Sequence, residues 1–218
     1  LKDKFNLKEC YLLNDWEAIA HSYDYVSENI KTIKDGRPFN NNILFLGPGT
    51  GLGAAIALGN EIVIPTEIGN TNNSIKSFNS HFNFTIDDEL TLENIISGTG
   101  ISYLYKQKTG TEIPAEDIFN KFLAKDNDAE EIINGFIKCL AQTLSDLSLI
   151  FIPGNGILLA GSLMRSLYPH MISDEFKNNF LGTKKGIHKD ILEMVSIGVI
   201  TKEKTPLYGN LGFYKKLI

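Results

Sequence analysis

The chain alternates between short apolar runs and longer segments in which apolar residues recur with helical spacing. Residues 43–46 and 157–160 are continuous apolar runs next to glycine-rich or polar segments, a pattern that predicts buried strands. Residues 130–149 carry an apolar residue at every third or fourth position and predict the longest helix of the chain. Strands that alternate with helices are typical of an α/β fold.

The same patterns predict the remaining elements less sharply. Helices are expected over residues 16–33, 92–105 and 115–122 and after Pro206, and strands over 10–13, 53–58, 61–64 and 193–200. The helix over 92–105 is expected to bend at Ser97-Gly98-Thr99-Gly100. Residues 71–88 are polar and rich in Asn and Ser, which predicts an excursion over the surface.

Composition and charge narrow the classes of function. The 218 residues are 43% hydrophobic and 22% charged, as in folded domains. A net charge of −5 gives no overall basic field, so we expect no nucleic-acid partner. No apolar run approaches the ~20 residues that span a bilayer, and no signal peptide is recognisable, so we expect no membrane partner and a cytoplasmic location. The two cysteines and four histidines lack metal-ligand spacing, and no metal site is expected.

A glycine-rich segment, residues 47–53, follows the strand predicted at 43–46. Glycine lacks a Cβ and permits positive φ, so such a loop can bring backbone close to a phosphate. A Walker loop is excluded because no Gly-Lys-Ser/Thr follows. Gly49, Gly51 and Ala54 match a dinucleotide fingerprint, but Gly59 comes too soon for the helix that this fingerprint requires. A β-turn around nucleotide phosphate, as in ATPases of the actin and hexokinase type, is favoured over a turn without a ligand.

Several acidic residues stand at places where a substrate could meet them. Asp15 follows the strand predicted at 10–13, and its local pattern favours an N-cap over a residue that faces a ligand. Residues 60–100 contain six acidic residues and one lysine. Within them, Glu67 stands at the end of a predicted strand and Glu93 just before the Ser-Gly-Thr-Gly bend. Paired carboxylates suit a polyhydroxylated substrate, because their oxygens accept hydroxyl hydrogens and one can also take a proton.

Five segments, in order along most of the chain, resemble the bacterial glucokinase family of the hexokinase and actin-like superfold. They are residues 12–18, 46–53, 67–70, 93–100 and 156–162. The resemblance implies the α/β architecture called the ribonuclease H-like or actin-like ATPase fold. It also implies transfer of the γ-phosphate of ATP, with Mg²⁺ bound to the ATP, to the 6-hydroxyl of glucose or a related hexose. A homodimer is a possible assembly.

The same resemblance assigns roles to individual residues. Asp15 is the expected general base for the sugar 6-hydroxyl, which replaces the local interpretation of Asp15 as a helix cap. The residues expected to bind the sugar are Asn14, Glu67, Asn70 and Glu93, and those expected to bind ATP are Gly49, Thr50, Gly51 and Gly161.

The chain also departs from the family pattern. Asn70 stands where the family has His, and Ile68 replaces a glycine. The family's first phosphate loop, Asp followed by Gly-Gly-Thr, is absent from the sequence. We therefore expect the larger, C-terminal portion of such a kinase: residues 1–25 as a remnant of the small domain, 26–205 as the large domain, and 206–218 as a helix that returns to the small domain. The alternative is a catalytically silent sugar-binding or interaction module.

Overall fold

The computed structural model describes residues 2, 4–59, 62–72, 75–87 and 89–217. Its strands form one six-stranded sheet in the order β1-β6-β5-β2-β3-β4. They are β1 (Ile30–Lys34), β2 (Asn42–Pro48), β3 (Leu52–Leu58), β4 (Ile62–Thr66), β5 (Gly156–Leu159) and β6 (Ile197–Ile200). Strands β2, β5 and β6 run parallel, whereas β2, β3 and β4 form an antiparallel meander and β1 pairs antiparallel with β6. The predicted α/β class is confirmed.

The helices lie between and after these strands. In the described residues they are α1 (Asp15–His21), α2 (Tyr23–Val26), α3 (Ile75–Phe78), α4 (Leu92–Ile95), α5 (Gly98–Thr109), α6 (Ala115–Leu123), α7 (Asn127–Phe151), α8 (Ser162–Met171), α9 (Asp174–Leu181), α10 (Ile187–Met194) and α11 (Thr205–Leu217). The longest is α7, as its apolar stripe predicts, and the bend predicted at 97–100 separates α4 from α5.

Both faces of the sheet are covered, because side chains alternate between the two faces along each strand. On β2, Leu44 and Leu46 belong to the larger hydrophobic cluster, which contains the buried residues of α7. Ile43 and Phe45 belong to a smaller cluster on the other face, together with Ile19 of α1. The continuous apolar run of β2 is thus explained by a strand that is buried on both faces.

Helix α1 lies between the sheet and α11. A Cβ built on Gly209 of α11 would overlap the carbonyl oxygen of Ala18, so the two helix backbones approach very closely. The helix expected after Pro206 is therefore present and packs on the N-terminal helix. The division into domains at residues 25 and 205 stays a prediction.

Four predicted elements are wrong in type or extent. The excursion predicted over 71–88 does not stay on the surface, because Ile75, Phe78 and Ile86 are buried in the larger hydrophobic cluster. Residues 10–13 form no strand, since Tyr11 and Leu12 are 54% and 80% exposed and pair with no other strand. The helix predicted over 16–33 ends early, because Ile30 pairs with Ile200 and starts β1. The strand predicted over 193–200 begins only at Ile197.

The late start of β6 has a visible cause. The buried ammonium group of Lys34 donates hydrogen bonds to the carbonyl oxygens of Glu193, at 2.9 Å, and Val195, at 2.6 Å. A cation at the carbonyl end of a helix satisfies acceptors that the helix leaves unpaired, and here it stabilises the end of α10. The strand predicted over 61–64 is confirmed from Ile62 onward, whereas Glu61 lies outside the described residues.

Candidate functional site

The hairpin that joins β2 to β3 ends beside the carboxyl end of β5. Strands β2 and β5 are parallel, and the amide of Ala160 donates to the carbonyl of Leu46 at 3.0 Å. A Cβ built on Gly161 would lie 3.7 Å from the carbonyl oxygen of Pro48. The structure therefore brings Gly161 next to the loop of Gly49, Thr50 and Gly51, as the sequence interpretation requires. In open α/β sheets, this edge is where ligands bind.

The start of α5 holds this loop in place. The amide of Gly98 donates to the carbonyl of Gly49 at 2.7 Å, and the hydroxyl of Thr99 donates to the carbonyl of Thr50 at 2.7 Å. A further bond runs across the loop from the amide of Gly49 to the carbonyl of Gly51, at 2.8 Å. The motif at residues 97–100, which the resemblance assigned to the sugar, therefore also supports the hairpin loop.

A cleft of about 800 Å³ opens beside the loop, with walls from α5, α6 and α8. The first residues of these three helices, Gly98, Ala115 and Ser162, all line it. The N-terminal end of a helix carries partial positive charge and unpaired N–H groups, so it attracts anions. The cap residue of α8, Gly161, offers no side chain to these groups. The start of α8 thus suits a negatively charged group, whereas α5 is capped by Ser97 and the first turn of α6 carries the carboxylates of Glu116 and Asp117.

Gly161 is the residue at which backbone conformation demands glycine. Its φ of +109° and ψ of 161° lie in a region that side chains with a Cβ rarely adopt. This conformation turns the chain from β5 directly into α8. Gly161 thereby determines where the N–H groups of α8 meet the cleft.

The four glycines of the hairpin divide into two pairs. Gly47 and Gly53 face each other across β2 and β3, and a Cβ on either would overlap the indole ring of Trp16. Around Gly49, in contrast, no atom lies within 4 Å of a built Cβ. None of the four has positive φ, so this loop does not use the left-handed conformation that glycine permits. Because these glycines lack a side chain, an aromatic ring or a ligand can approach their backbone closely.

Glu93, one of the predicted sugar carboxylates, lies beside the last glycine of the loop. A Cβ built on Gly51 would lie 2.7 Å from Oε2 of Glu93, and one built on Gly69 would lie 3.3 Å from Cβ of Glu93. The amide of Leu92 donates to the carbonyl of Thr71 at 2.7 Å and ties α4 to the segment that follows β4. Glu93 and residues 67–70 therefore form one group, in which Glu93 lies beside Gly51.

Within this group, the side chains of Glu67 and Asn70 are exposed and bonded to each other. The amide nitrogen Nδ2 of Asn70 donates to Oε2 of Glu67 at 3.3 Å. Ile68, which replaces a glycine of the family pattern, packs against the larger hydrophobic cluster. The two polar side chains of this segment thus face solvent while its apolar residue, Ile68, faces the core.

Asn14 and Asp15 stand at the start of α1, and the residue that caps this helix is not the one that the local sequence pattern indicated. Asn14 is the N-cap, and its Oδ1 accepts a hydrogen bond from the amide of Trp16 at 2.9 Å. In return, the amide of Asn14 donates to Oε2 of Glu17 at 3.3 Å, which completes a capping box. The interpretation of Asp15 as the cap is therefore wrong. Asp15 is exposed in the first turn, next to Trp16, which lies on the hairpin glycines. The segment is held against the hairpin, and the catalytic role of Asp15 stays a prediction.

Part of the cleft was missed by sequence reasoning. Glu116, Phe119 and Asn120 of α6 and Ser166 of α8 line it. None of them belongs to a recognisable motif, and only the packing of α6 and α8 beside the loop brings them there.

Over the described ranges, no group of three or more His, Cys, Asp or Glu residues is placed to hold a metal ion. No helix in that same part of the chain is long and apolar enough to cross a membrane.

The strand order and the antiparallel meander are those of the ribonuclease H-like, actin-like ATPase fold. The match to solved structures agrees: a glucokinase from an Antarctic psychrotroph has a TM-score of 0.84 at 24% identity, over 99% of this chain and 71% of that one. A ROK family glucokinase from Streptomyces griseus, solved with glucose and AMPPNP, has a TM-score of 0.65 at 17% identity, over 95% of this chain and 68% of that one. The predicted fold is confirmed.

The family follows from the sequence comparisons. The Glucokinase family model matches residues 1–216, and the chain belongs to the Glucokinase family. It is 30% identical over 220 residues to the glucokinase of Mesorhizobium japonicum, which covers 93% of this chain and 64% of that protein. Identity to the glucokinase of Agrobacterium fabrum is 30% over 223 residues, 94% of this chain and 65% of that protein. The chain thus spans just under two thirds of the length of these relatives, and the predicted family is confirmed.

Proposed function

We propose that this chain carries the sugar and nucleotide sites of an ATP-dependent hexose kinase that phosphorylates the 6-hydroxyl of glucose. The observation that carries the proposal is the position of the loop from Gly49 to Gly51. Gly49 and Thr50 line the cleft, and Gly51 lies beside the carboxylate of Glu93. Phosphoryl transfer depends mainly on holding donor and acceptor next to each other, and this loop borders both proposed sites.

On the nucleotide side, the ATP phosphates would contact the loop and the first turn of α8. The nucleoside would lie along Phe119 and Asn120 of α6, which form the far wall of the cleft. Mg²⁺ would arrive on the phosphates and neutralise part of their charge when bound. The related Streptomyces griseus protein is known with AMPPNP, which supports ATP as the donor.

On the sugar side, Glu67, Asn70 and Glu93 would hold ring hydroxyls. Asp15 would take the proton of the 6-hydroxyl while the oxygen forms its bond to the γ-phosphorus and ADP leaves. An exposed carboxylate at the start of a helix that is fixed to the hairpin by Trp16 supports this role. Asn14 would contact a neighbouring hydroxyl through its amide nitrogen, because its Oδ1 already caps α1.

The proposal is tested by Asp15→Asn in an assay of glucose-dependent ADP formation. We expect turnover to fall about 10²–10⁴-fold, the usual contribution of a general base. Binding of glucose, followed by calorimetry, should persist because the substituted amide keeps its size. Asp24→Asn on α2, also exposed, is the matched control and should retain activity. Equal turnover of Asp15→Asn and the unsubstituted chain would remove Asp15 from the mechanism.

A second candidate function is a sugar-binding module of the same fold without catalysis. Two observations favour it: Asn70 stands where the family has His and is bonded to Glu67, and Oδ1 of Asn14 is engaged in the cap. Asn can bind a hydroxyl but cannot carry a proton. Glucose binding without ADP formation above the uncatalysed rate would select this function over the kinase.

The assembly and location implied by the resemblance stay part of the proposal. A homodimer is expected, and sedimentation velocity at several concentrations measures it directly. A cytoplasmic location is expected for an enzyme that uses ATP. Fractionation of cells that express the tagged protein tests it.

A further inference from the structure

We infer that Thr99 is a positioning residue that couples sugar binding to nucleotide binding. The inference rests on the proposed function, because it concerns how the two halves of that site communicate. Residues 93–99 join the predicted sugar carboxylate, Glu93, to the phosphate loop, because Glu93 lies beside Gly51 at one end of this segment and Gly98 and Thr99 at the other end are hydrogen-bonded to the loop.

On the sugar side, the connection starts at the backbone of Glu93. The hydroxyl of Ser97 donates to the carbonyl of Glu93 at 2.5 Å and lies 2.9 Å from the hydroxyl of Thr99. Ser97 is fully buried, and its oxygen also accepts from the amide of Gly100 at 2.9 Å as the cap of α5. Ser97 therefore ties the backbone of Glu93 in α4 to the first turn of α5, which carries Thr99, so the positions of these two residues depend on each other.

On the nucleotide side, the connection ends on the loop. The hydroxyl of Thr99 donates to the carbonyl of Thr50 at 2.7 Å, and the amide of Gly98 holds the carbonyl of Gly49. A ligand whose phosphates bind this loop would therefore also fix the start of α5. Thr99 itself lines the cleft, so the bond to Thr50 lies where the nucleotide is expected.

A direct contact closes the connection into a ring. The carboxylate of Glu93 lies against Gly51, so the side chain of Glu93 meets the loop while its backbone is bonded to Ser97. Either ligand would order the same ring of residues. The second ligand then meets a site that is already ordered, which gives positive cooperativity by the same factor in both directions.

The test is the dissociation constant of glucose for the full chain, measured with and without saturating Mg–AMPPNP. We expect AMPPNP to tighten glucose binding about 5-fold or more, and the ratio of the two constants to fall to about 1 in Thr99→Val. Thr99→Ser keeps the hydroxyl and should restore the ratio. Thr109→Val is the matched control: its hydroxyl bonds the carbonyl of Tyr105 at 2.9 Å at the far end of the same helix, and its ratio should equal that of the unsubstituted chain.

The outcomes separate this inference from the proposed function. If the chain binds neither glucose nor AMPPNP, both are overturned. If it binds both ligands without cooperativity, or if Thr99→Val keeps the full ratio, only the coupling role of Thr99 is overturned. Should Thr99→Val fail to fold by circular dichroism, Thr99→Ala is measured in its place, with the same expectation for the ratio. A ratio lost equally in Thr99→Ser would also contradict the inference, because the hydroxyl would then not be the connecting group.

Discussion

The hairpin between β2 and β3 contains two pairs of glycines with opposite surroundings. Gly47 and Gly53 lie on the strands, where the indole of Trp16 occupies the space that their side chains would take. Gly49 and Gly51 lie at the loop, where Gly49 faces open space and Gly51 touches only the end of Glu93. The pair Gly47 and Gly53 allows Trp16 to pack on the strands, whereas the pair Gly49 and Gly51 leaves the loop backbone accessible.

The difference shows that a glycine-rich motif does not have a single cause. The outer pair lets α1 lie flat on the sheet, and this position places Asp15, the residue before Trp16, near the hairpin. The loop pair leaves backbone accessible to a ligand on one side and to a carboxylate on the other. A substitution by alanine, which adds only a Cβ, distinguishes the two causes at each position.

The largest effect is expected at Gly53. In Gly53→Ala the new methyl group would overlap Trp16, which is confined by the sheet, so the free energy of unfolding should fall by about 1–3 kcal/mol or more. Gly49→Ala is the matched control, and its free energy of unfolding should change by less than about 0.5 kcal/mol, because its Cβ has no neighbour within 4 Å and its φ is not positive. Urea unfolding followed by circular dichroism measures both. Equal losses in the two variants would contradict the division into pairs.

An intermediate effect, on ligand binding, is expected at Gly51. In Gly51→Ala the methyl group meets only the flexible end of Glu93, so the fold should persist while the carboxylate is displaced. We expect the dissociation constant of glucose to rise about tenfold, which corresponds to about 1.4 kcal/mol, as measured by calorimetry. Gly49→Ala should bind glucose as the unsubstituted chain does. Unchanged glucose binding in Gly51→Ala would indicate that Glu93 does not bind the sugar.

The smallest effect is expected at His21 of α1, and it concerns the pH dependence of the free energy of unfolding. The ring of His21 is buried against Phe213 of α11, with 5.2 Å between ring centroids, and its Nδ1 has no hydrogen-bond partner among the residues that the structure describes. Burial lowers the pKa of His21, the nearby ammonium of Lys216 lowers it further, and Glu17 opposes both. The folded state therefore holds the ring neutral at a pH at which the unfolded chain already binds a proton.

The sign of the pH dependence follows from this lowered pKa. Above pH ~6.5, the ring is neutral in both states and His21 contributes no pH dependence. As the pH falls below that value, the unfolded chain gains a proton that the folded chain resists, so the free energy of unfolding decreases. His21→Gln cannot titrate and should lose less stability between pH 7.5 and pH 5.5 in urea unfolding. Identical losses in both proteins would assign the effect to other groups.

Much of the fold was accessible from local pattern, and the exceptions have physical causes. Apolar runs at residues 44–46 and 157–160 became central strands, since strands buried on both faces need apolar residues throughout. The run at residues 10–13 looks similar but found no partner strand and is largely exposed. Ile30 continues a helical pattern and yet starts β1, because pairing with Ile200 is a contact between residues far apart in the chain.

The sequence by itself determined the α/β class, the family, and the order of the motifs, because these depend on residue types and spacings that are visible locally. Only the tertiary structure decided which residues of those motifs act together. It separated the packing glycines from the loop glycines, made Asn14 the cap of α1, and bonded Thr99 to the loop. The cleft wall from α6 likewise exists only through packing. The reason is that residues distant in sequence meet only when the sheet has brought them together.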